Sequence, residues 1–214
     1  MFPNPELAEE DGLLAIDGDL SIHRLLNAYA NGIFPWFNPD DPILWWSPDP
    51  RFVIFPNEFK ASKSLRQKIR NSGYNVKYDN NFASVINNCA IAKRKQEDGT
   101  WITTEMEEAY INMHKIGVAH SVEVYDKDEL IGGLYGVQIG TVFTGESMFS
   151  IKPDASKIAL YTLCQNVEKF GIELIDVQMP TEHLKSLGAK GIKRSEFLKY
   201  LEGSFNKTSF DLWE

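Results

Sequence analysis

Apolar positions recur with helical spacing in four stretches of the chain and alternate with polar ones in several others. Between Leu20 and Asn31, Leu25, Leu26 and Tyr29 form one apolar stripe, with Ser21 as N-cap and Gly32 at the stop, so a short helix is predicted. A second helix is predicted from about Glu58 to Asn71. Leu65 and Ile69 lie four apart on one side of it, while Lys63, Arg66 and Arg70 follow i, i+3, i+7 spacing on another. A third starts at Thr104, with Glu107 as capping-box partner, Met106, Tyr110 and Met113 facing inward, and Gly117 closing it. A fourth, capped by Asp154, places Ala155, Ile158, Ala159, Leu163, Val167 and Phe170 on one face before Gly171. Ahead of that helix, Ser121 to Tyr125, Glu129 to Gln138 and Thr141 to Met148 read as an antiparallel meander. Its turns fall at Asp126-Lys127-Asp128 and Gly140, and Gly132-Gly133 marks a bulge. The apolar run Glu173 to Met179 is short enough for a buried strand. Three antiparallel strands, a helix and a further strand predict an α+β domain with one central, mostly antiparallel sheet.

The first fifty residues have another texture. Prolines at 3, 5, 35, 39, 42, 48 and 50 and three of the five tryptophans (Trp36, Trp45, Trp46) crowd there. Ile33 to Arg51 is too broken by proline to fold alone, so a small N-terminal domain over 1–51 and a larger one over 52–214 are expected. An apolar share of 43% in 214 residues supports a true core, and no stretch approaches the ~20 apolar residues that span a bilayer. Met1 to Glu10 has three acidic residues, no basic ones and no apolar segment, unlike a secretory signal. Cys89 and Cys164 are isolated, as expected of packed thiols in a reducing cytoplasm.

Candidate chemistry lies where polar residues interrupt apolar strands. In Leu174-Ile175-Asp176-Val177-Gln178-Met179, strict alternation puts Ile175, Val177 and Met179 on one face and Asp176 and Gln178 on the other, about 6.5–7 Å apart. A carboxylate accepting from the amide nitrogen would leave the amide oxygen as a fixed acceptor. The same pair reads equally as two satisfied groups at a strand end. Glu146 is a second polar interruption, just after Val142-Phe143. Gly145-Glu146-Ser147-Met148-Phe149 imitates a nucleophile elbow, but Phe149 stands where the tight turn demands glycine. His23, His114, His120 and His183 lack metal-ligand spacing, and there is no phosphate-binding glycine loop, so no metal or nucleotide cofactor is expected. A formal net charge of -8 speaks against a general nucleic-acid coat protein. It leaves room for a local footprint: Lys63, Arg66, Lys68 and Arg70 on the second helix, and Lys93-Arg94-Lys95. Either cluster also reads as an ordinary solvated face.

A dozen blocks in order resemble the bacterial leucyl/phenylalanyl-tRNA–protein transferase family. They include Gly12-Leu13-Leu14-Ala15, Gly18-Asp19-Leu20-Ser21, Gly32-Ile33-Phe34-Pro35-Trp36-Phe37, Trp45-Trp46-Ser47-Pro48-Asp49-Pro50-Arg51 and Thr100-Trp101-Ile102-Thr103. Further on come Ala119-His120-Ser121-Val122-Glu123-Val124, Gly145-Glu146-Ser147-Met148-Phe149-Ser150, Leu174-Ile175-Asp176-Val177-Gln178 and Ser186-Leu187-Gly188-Ala189. The resemblance implies a small N-terminal domain joined to an acetyltransferase-like (GNAT-type) domain. The implied reaction moves leucine, phenylalanine or also methionine from aminoacyl-tRNA to proteins beginning with Arg or Lys, in the cytoplasm, by a monomer, creating a degradation signal. It further implies that Asp176 orients Gln178, that the Gln178 amide oxygen receives the acceptor α-amino group, and that Glu146 helps hold the basic acceptor terminus. Trp36, Trp101, Tyr110, Phe143, Met148 and Leu160 would line the sites for the tRNA 3′ end and the aminoacyl group. Departures are Asp17 for a usual glycine, Val177 for a usual cysteine, and Gln67 and Asn71 where arginines are frequent. The rival readings are a same-fold transferase acting on acidic N-termini or cell-wall peptide, and a non-catalytic tRNA-binding module.

Overall fold

The structure is a computed structural model that describes residues 1–92, 102–204 and Trp213. A 3-10 turn at Pro5–Leu7 leads into β1 (Leu13–Ile16), α1 (Ile22–Ala30), β2 (Phe34–Pro35) and β3 (Leu44–Trp46). These three strands form a small antiparallel sheet in the order β1-β3-β2. The Ser21 side chain caps α1 by accepting from Arg24 N–H at 3.4 Å, and Gly32 follows the helix with φ +72, a left-handed conformation that favours glycine.

The chain then enters a seven-stranded sheet. Its elements in sequence are β4 (Arg51–Ile54), α2 (Lys63–Asn71), β5 (Asn75–Tyr78), α3 (Phe82–Ile91), α4 (Thr104–Lys115), β6 (Ala119–Asp126), β7 (Glu129–Ile139) and β8 (Val142–Ser150). After them come α5 (Ala155–Gln165), α6 (Val167–Phe170), β9 (Leu174–Gln178), α7 (Glu182–Ser186), β10 (Lys190–Ile192) and α8 (Arg194–Ser204). The order is β10-β4-β9-β8-β7-β6-β5, antiparallel at each pairing except β8 with β9, which run parallel. The protein is therefore α+β, with a mixed central sheet and a second, small one. The parallel pair follows from connectivity, because a helical crossover returns the chain in the same direction.

Each face of the large sheet is covered. On one side α3, α4 and the N-terminal segment share one core, in which Leu25, Tyr29, Phe34 and Trp45 pack with Ile86, Met106, Tyr110, Tyr135 and Phe149. On the other, α5 packs Ile158, Ala159, Leu160 and Leu163 against Val122, Leu134, Phe143 and Ile175. A third cluster joins Val53, Val142 and Leu174 to Phe197 and Leu201 of α8. No helix among the described residues is long and apolar enough to cross a membrane.

Several local expectations are corrected. The second helix begins at Lys63, not near Glu58: Ser62 caps it, accepting from Leu65 N–H at 3.1 Å, and Pro56–Glu58 is a separate 3-10 turn. The third helix is capped by Thr103, which accepts from Met106 N–H at 3.2 Å, so the Thr104–Glu107 box does not form. Asp154 precedes α5 with φ +67 and makes no cap bond, its carboxylate being committed to Lys157 and Lys68. That apolar face is divided at Asn166 between α5 and α6. The bulge assigned to Gly132-Gly133 falls one residue earlier, where Ile131 has no partner of its own on β6. At Gly132 the need is for close approach, since a Cβ there would stand 2.4 Å from that of Ala155.

Candidate active site

Strands β8 and β9 pair only at Val142–Leu174, Phe143–Ile175 and Thr144–Asp176. Beyond those positions they part, and two bulges mark the parting. Against β7, Tyr135 faces Ser147 and Gly136 faces Gly145, leaving Glu146 as the extra residue on β8. Against β4, Phe52 faces Gln178 and Val53 faces Asp176, leaving Val177 as the extra residue on β9. A bulge bends its strand and re-aims the neighbouring side chains. The divergence opens a cavity of about 500 Å³. Its apolar wall includes Leu134, Phe143, Met148, Leu160, Ile175 and Val177, and its polar end holds Glu146 and Gln178. Trp36 and Met179 stand at the exposed edge, both more than a third exposed.

The bulge at Val177 changes the expected arrangement of the Asp-x-Gln pair. Gln178 adopts φ +58 and joins Ile175 and Val177 on the cavity lining, whereas Asp176 is fully buried on the other side. Asp176 does not hold the Gln178 side chain. Both its oxygens are taken by Arg51, whose Nε and Nη2 donate at 2.7 and 2.6 Å, and Thr144 Oγ1 donates at 3.3 Å. Asp176 instead accepts from the Gln178 backbone N–H at 2.9 Å, which fixes the backbone that carries the amide. Arg51 also donates to the Gly32 carbonyl at 3.1 Å and lies between the rings of Phe34 and Phe197, so this ion pair ties the N-terminal segment to the sheet.

The Gln178 side chain is oriented by Glu146: its Nε2 donates to Glu146 Oε1 at 3.1 Å. That leaves the amide oxygen facing away from the carboxylate as an acceptor. Tyr29 of α1 donates to Glu146 Oε1 at 2.8 Å, Tyr110 of α4 to Oε2 at 3.1 Å, and the two phenols contact each other. Burial pushes the Glu146 carboxyl up to about 7, against the opposing effect of the phenol hydrogen bonds. Asp176 nearby raises it further and Arg51 lowers it. Burial, followed by the Glu146 charge, holds both phenols well above their usual range.

Residues 53–202 match the family model described as leucyl/phenylalanyl-tRNA protein transferase, and residues 18–49 match the model of that family's N-terminal domain. This chain belongs to that family. Leucyl/phenylalanyl-tRNA–protein transferase of Hydrogenovibrio crunogenus is 54% identical over 209 residues, covering 97% of this chain and 82% of that one. Its counterpart from Pseudomonas fluorescens is 51% identical over 214 residues, covering 99% and 94%. Among solved structures, FemX aligns over 85% of this chain and 70% of its own at 13% identity, with a TM-score of 0.48.

Within this family member the structure gathers Glu146, Gln178, Trp36, Phe143, Met148 and Leu160 around one cavity. Tyr110 is behind the lining, fully buried, and reaches the site through its hydroxyl on Glu146. Trp101 and Lys93-Arg94-Lys95 lie outside the described residues. Lys63, Arg66 and Arg70 are exposed on α2 and form no ion pair with any described residue. Lys68 differs, because its ammonium donates to the Pro153 carbonyl at 2.6 Å and pairs with Asp154 at 3.5 Å, docking α2 against the approach to α5. His120 is bonded to Asp79 at 2.7 Å and stacked on Trp213, part of a separate polar network near β5 and β6.

Sequence reasoning missed Tyr29 and Arg51. Tyr29 counted only as part of an apolar stripe. Its hydroxyl was the available signal, since a buried tyrosine needs a polar partner. Arg51 stood at the end of a matching block with no assigned task. Its signal was a lone guanidinium inside the apolar stretch that became β4.

Proposed function

We propose that this family member transfers leucine or phenylalanine, with methionine as a further donor, from aminoacyl-tRNA to the α-amino group of proteins beginning with Arg or Lys. The observation that carries the reading is a cavity with an apolar wall and a polar end built from Glu146 and Gln178, in a chain of this family. The donor side chain would occupy the apolar part, among Phe143, Met148, Leu160 and Ile175. The terminal adenine would stack at the edge on Trp36, a contact of about 1–3 kcal/mol. The acceptor amine would donate to the Gln178 amide oxygen, with Glu146 beside it as counter-charge. The aminoacyl ester is already activated, so holding amine and carbonyl at attack distance in a site that excludes water supplies much of the acceleration. On this reading 1–51 forms a small domain, 52–214 is a GNAT-type transferase domain, and the protein works as a cytoplasmic monomer.

The test is incubation of purified protein with radiolabelled Leu-tRNA or Phe-tRNA and peptides beginning with Arg, Lys, Asp or Glu. Label should pass to the Arg and Lys peptides alone. Label on the acidic peptides would overturn the acceptor assignment. Charged-tRNA binding without transfer to any peptide would leave only a binding module.

A further inference from the structure

We infer that Glu146, Tyr29 and Tyr110 form a closed ring of hydrogen bonds that takes the proton released by the acceptor amine. The inference rests on the proposed transfer reaction and adds Glu146 as its base. Its ground is the number of protons the ring requires. Tyr29 touches Glu146 Oε1, Tyr110 touches Oε2, and the two phenol oxygens touch each other. Three contacts between oxygens need three protons, and two phenols carry two. With Glu146 ionised, one contact faces lone pair against lone pair. With one proton added to the carboxylate, each of the three contacts holds one proton: both phenols donate and accept, one carboxyl oxygen donates and the other accepts.

The ring runs in either sense. A proton arriving on Oε1 is donated to Tyr29, Tyr29 donates to Tyr110, and Tyr110 donates to Oε2. Gln178 Nε2 also donates to Oε1 in each state, which fixes the amide that lines the cavity and leaves its oxygen as an acceptor. Glu146 and Gln178 both line the polar end of the cavity, so an amine bound there has the carboxylate as its second neighbour. The other carboxylate of the strand pair does not compete for it: Asp176 is closed off by Arg51 on the far side of β9.

The step balances. One N–H bond of the acceptor ammonium breaks as an O–H bond forms on Glu146, and the freed nitrogen pair attacks the ester carbonyl. The ester C–O bond then breaks, the leaving ribose oxygen takes the second amine proton, and Glu146 returns its own to solvent. The carboxyl's position near 7 suits the exchange, because it approaches the range of an α-amino group.

Glu146→Gln is the discriminating variant. Its amide nitrogen donates to Tyr110 and its oxygen accepts from Tyr29 and Gln178, so it reproduces the protonated ring but cannot accept a proton. We expect unchanged affinity for Leu-tRNA and a kcat lower by about 10²-fold or more. The residual rate should climb with pH as free amine accumulates, while the unaltered protein levels off. A raised KM for the Arg peptide at unchanged kcat would overturn the proposal and make Glu146 an anchor only. A second measurement needs no turnover. The folded protein binds this proton up to about pH 7 and the unfolded chain only up to about 4.5. Folding stability of the unaltered protein relative to Glu146→Gln should therefore fall as pH rises through that window, and level off above it. A constant difference across the window would remove the ring's proton. Failure of the unaltered protein to transfer anything would sink the reaction itself, whereas the stability comparison still reads the ring.

Discussion

Asp176 has no exposed surface and both its oxygens are held by a guanidinium that is itself buried. Such a pair repays the cost of desolvation only while both partners remain. Asp176→Asn should accordingly lower stability by about 3–5 kcal/mol in urea denaturation, because Arg51 is left buried with half its partner gone. A loss below about 1 kcal/mol would show that water enters and that the carboxylate is more accessible than its contacts indicate. Reduced transfer by Asp176 variants then carries a component of displaced backbone at Gln178, through the bond from its N–H. The residue type and position were legible in the chain. Its partner was not, since 125 positions separate Arg51 from Asp176.

The elements that create the site are two strands that stop pairing. Alternation alone placed Gln178 beside Asp176, and a single extra residue at Val177 moved it to the opposite side. Bulges leave little mark in composition, so a polar residue in a strand can be noticed from the sequence while its direction cannot. Helix α5 contributes to the cavity wall through Leu160, which is buried. Leu160→Phe should fill space that a phenylalanyl donor needs. The ratio of kcat/KM for Leu-tRNA over Phe-tRNA should rise by about tenfold or more, the scale on which apolar pockets discriminate. An unchanged ratio would place the aminoacyl side chain elsewhere.

At the scale of the whole molecule, an acidic chain presents an exposed cationic row on α2. Joint replacement of Lys63, Arg66 and Arg70 by alanine should weaken tRNA binding and reduce the slope of log affinity against log salt by about 2–3, near one for each phosphate no longer neutralised. Titrations at several salt concentrations would check it, and an unaltered slope would reduce the row to a solvated face. Lys68→Ala should behave differently. It frees α2 from Pro153 and Asp154, lowering stability by under about 1 kcal/mol with little change in the salt slope, because the pair is part-exposed. The same global view explains why the N-terminal segment belongs to the site. Tyr29 and Trp36 come from it, and its core is continuous with that of α3 and α4.

The sequence by itself determined the family, the α+β class, the helices α1, α2, α4 and α5–α6 with most of their faces (though not α3 or α8), and the polar residues that interrupt apolar strands. These depend on neighbouring positions and on ordered blocks, both present in the one-dimensional chain. Tertiary structure alone decided which carboxylate faces the cavity, which is neutralised by Arg51, and which phenols close around Glu146. Those outcomes depend on where β8 and β9 separate and on which distant groups the packing brings within hydrogen-bond reach, and no local pattern records either.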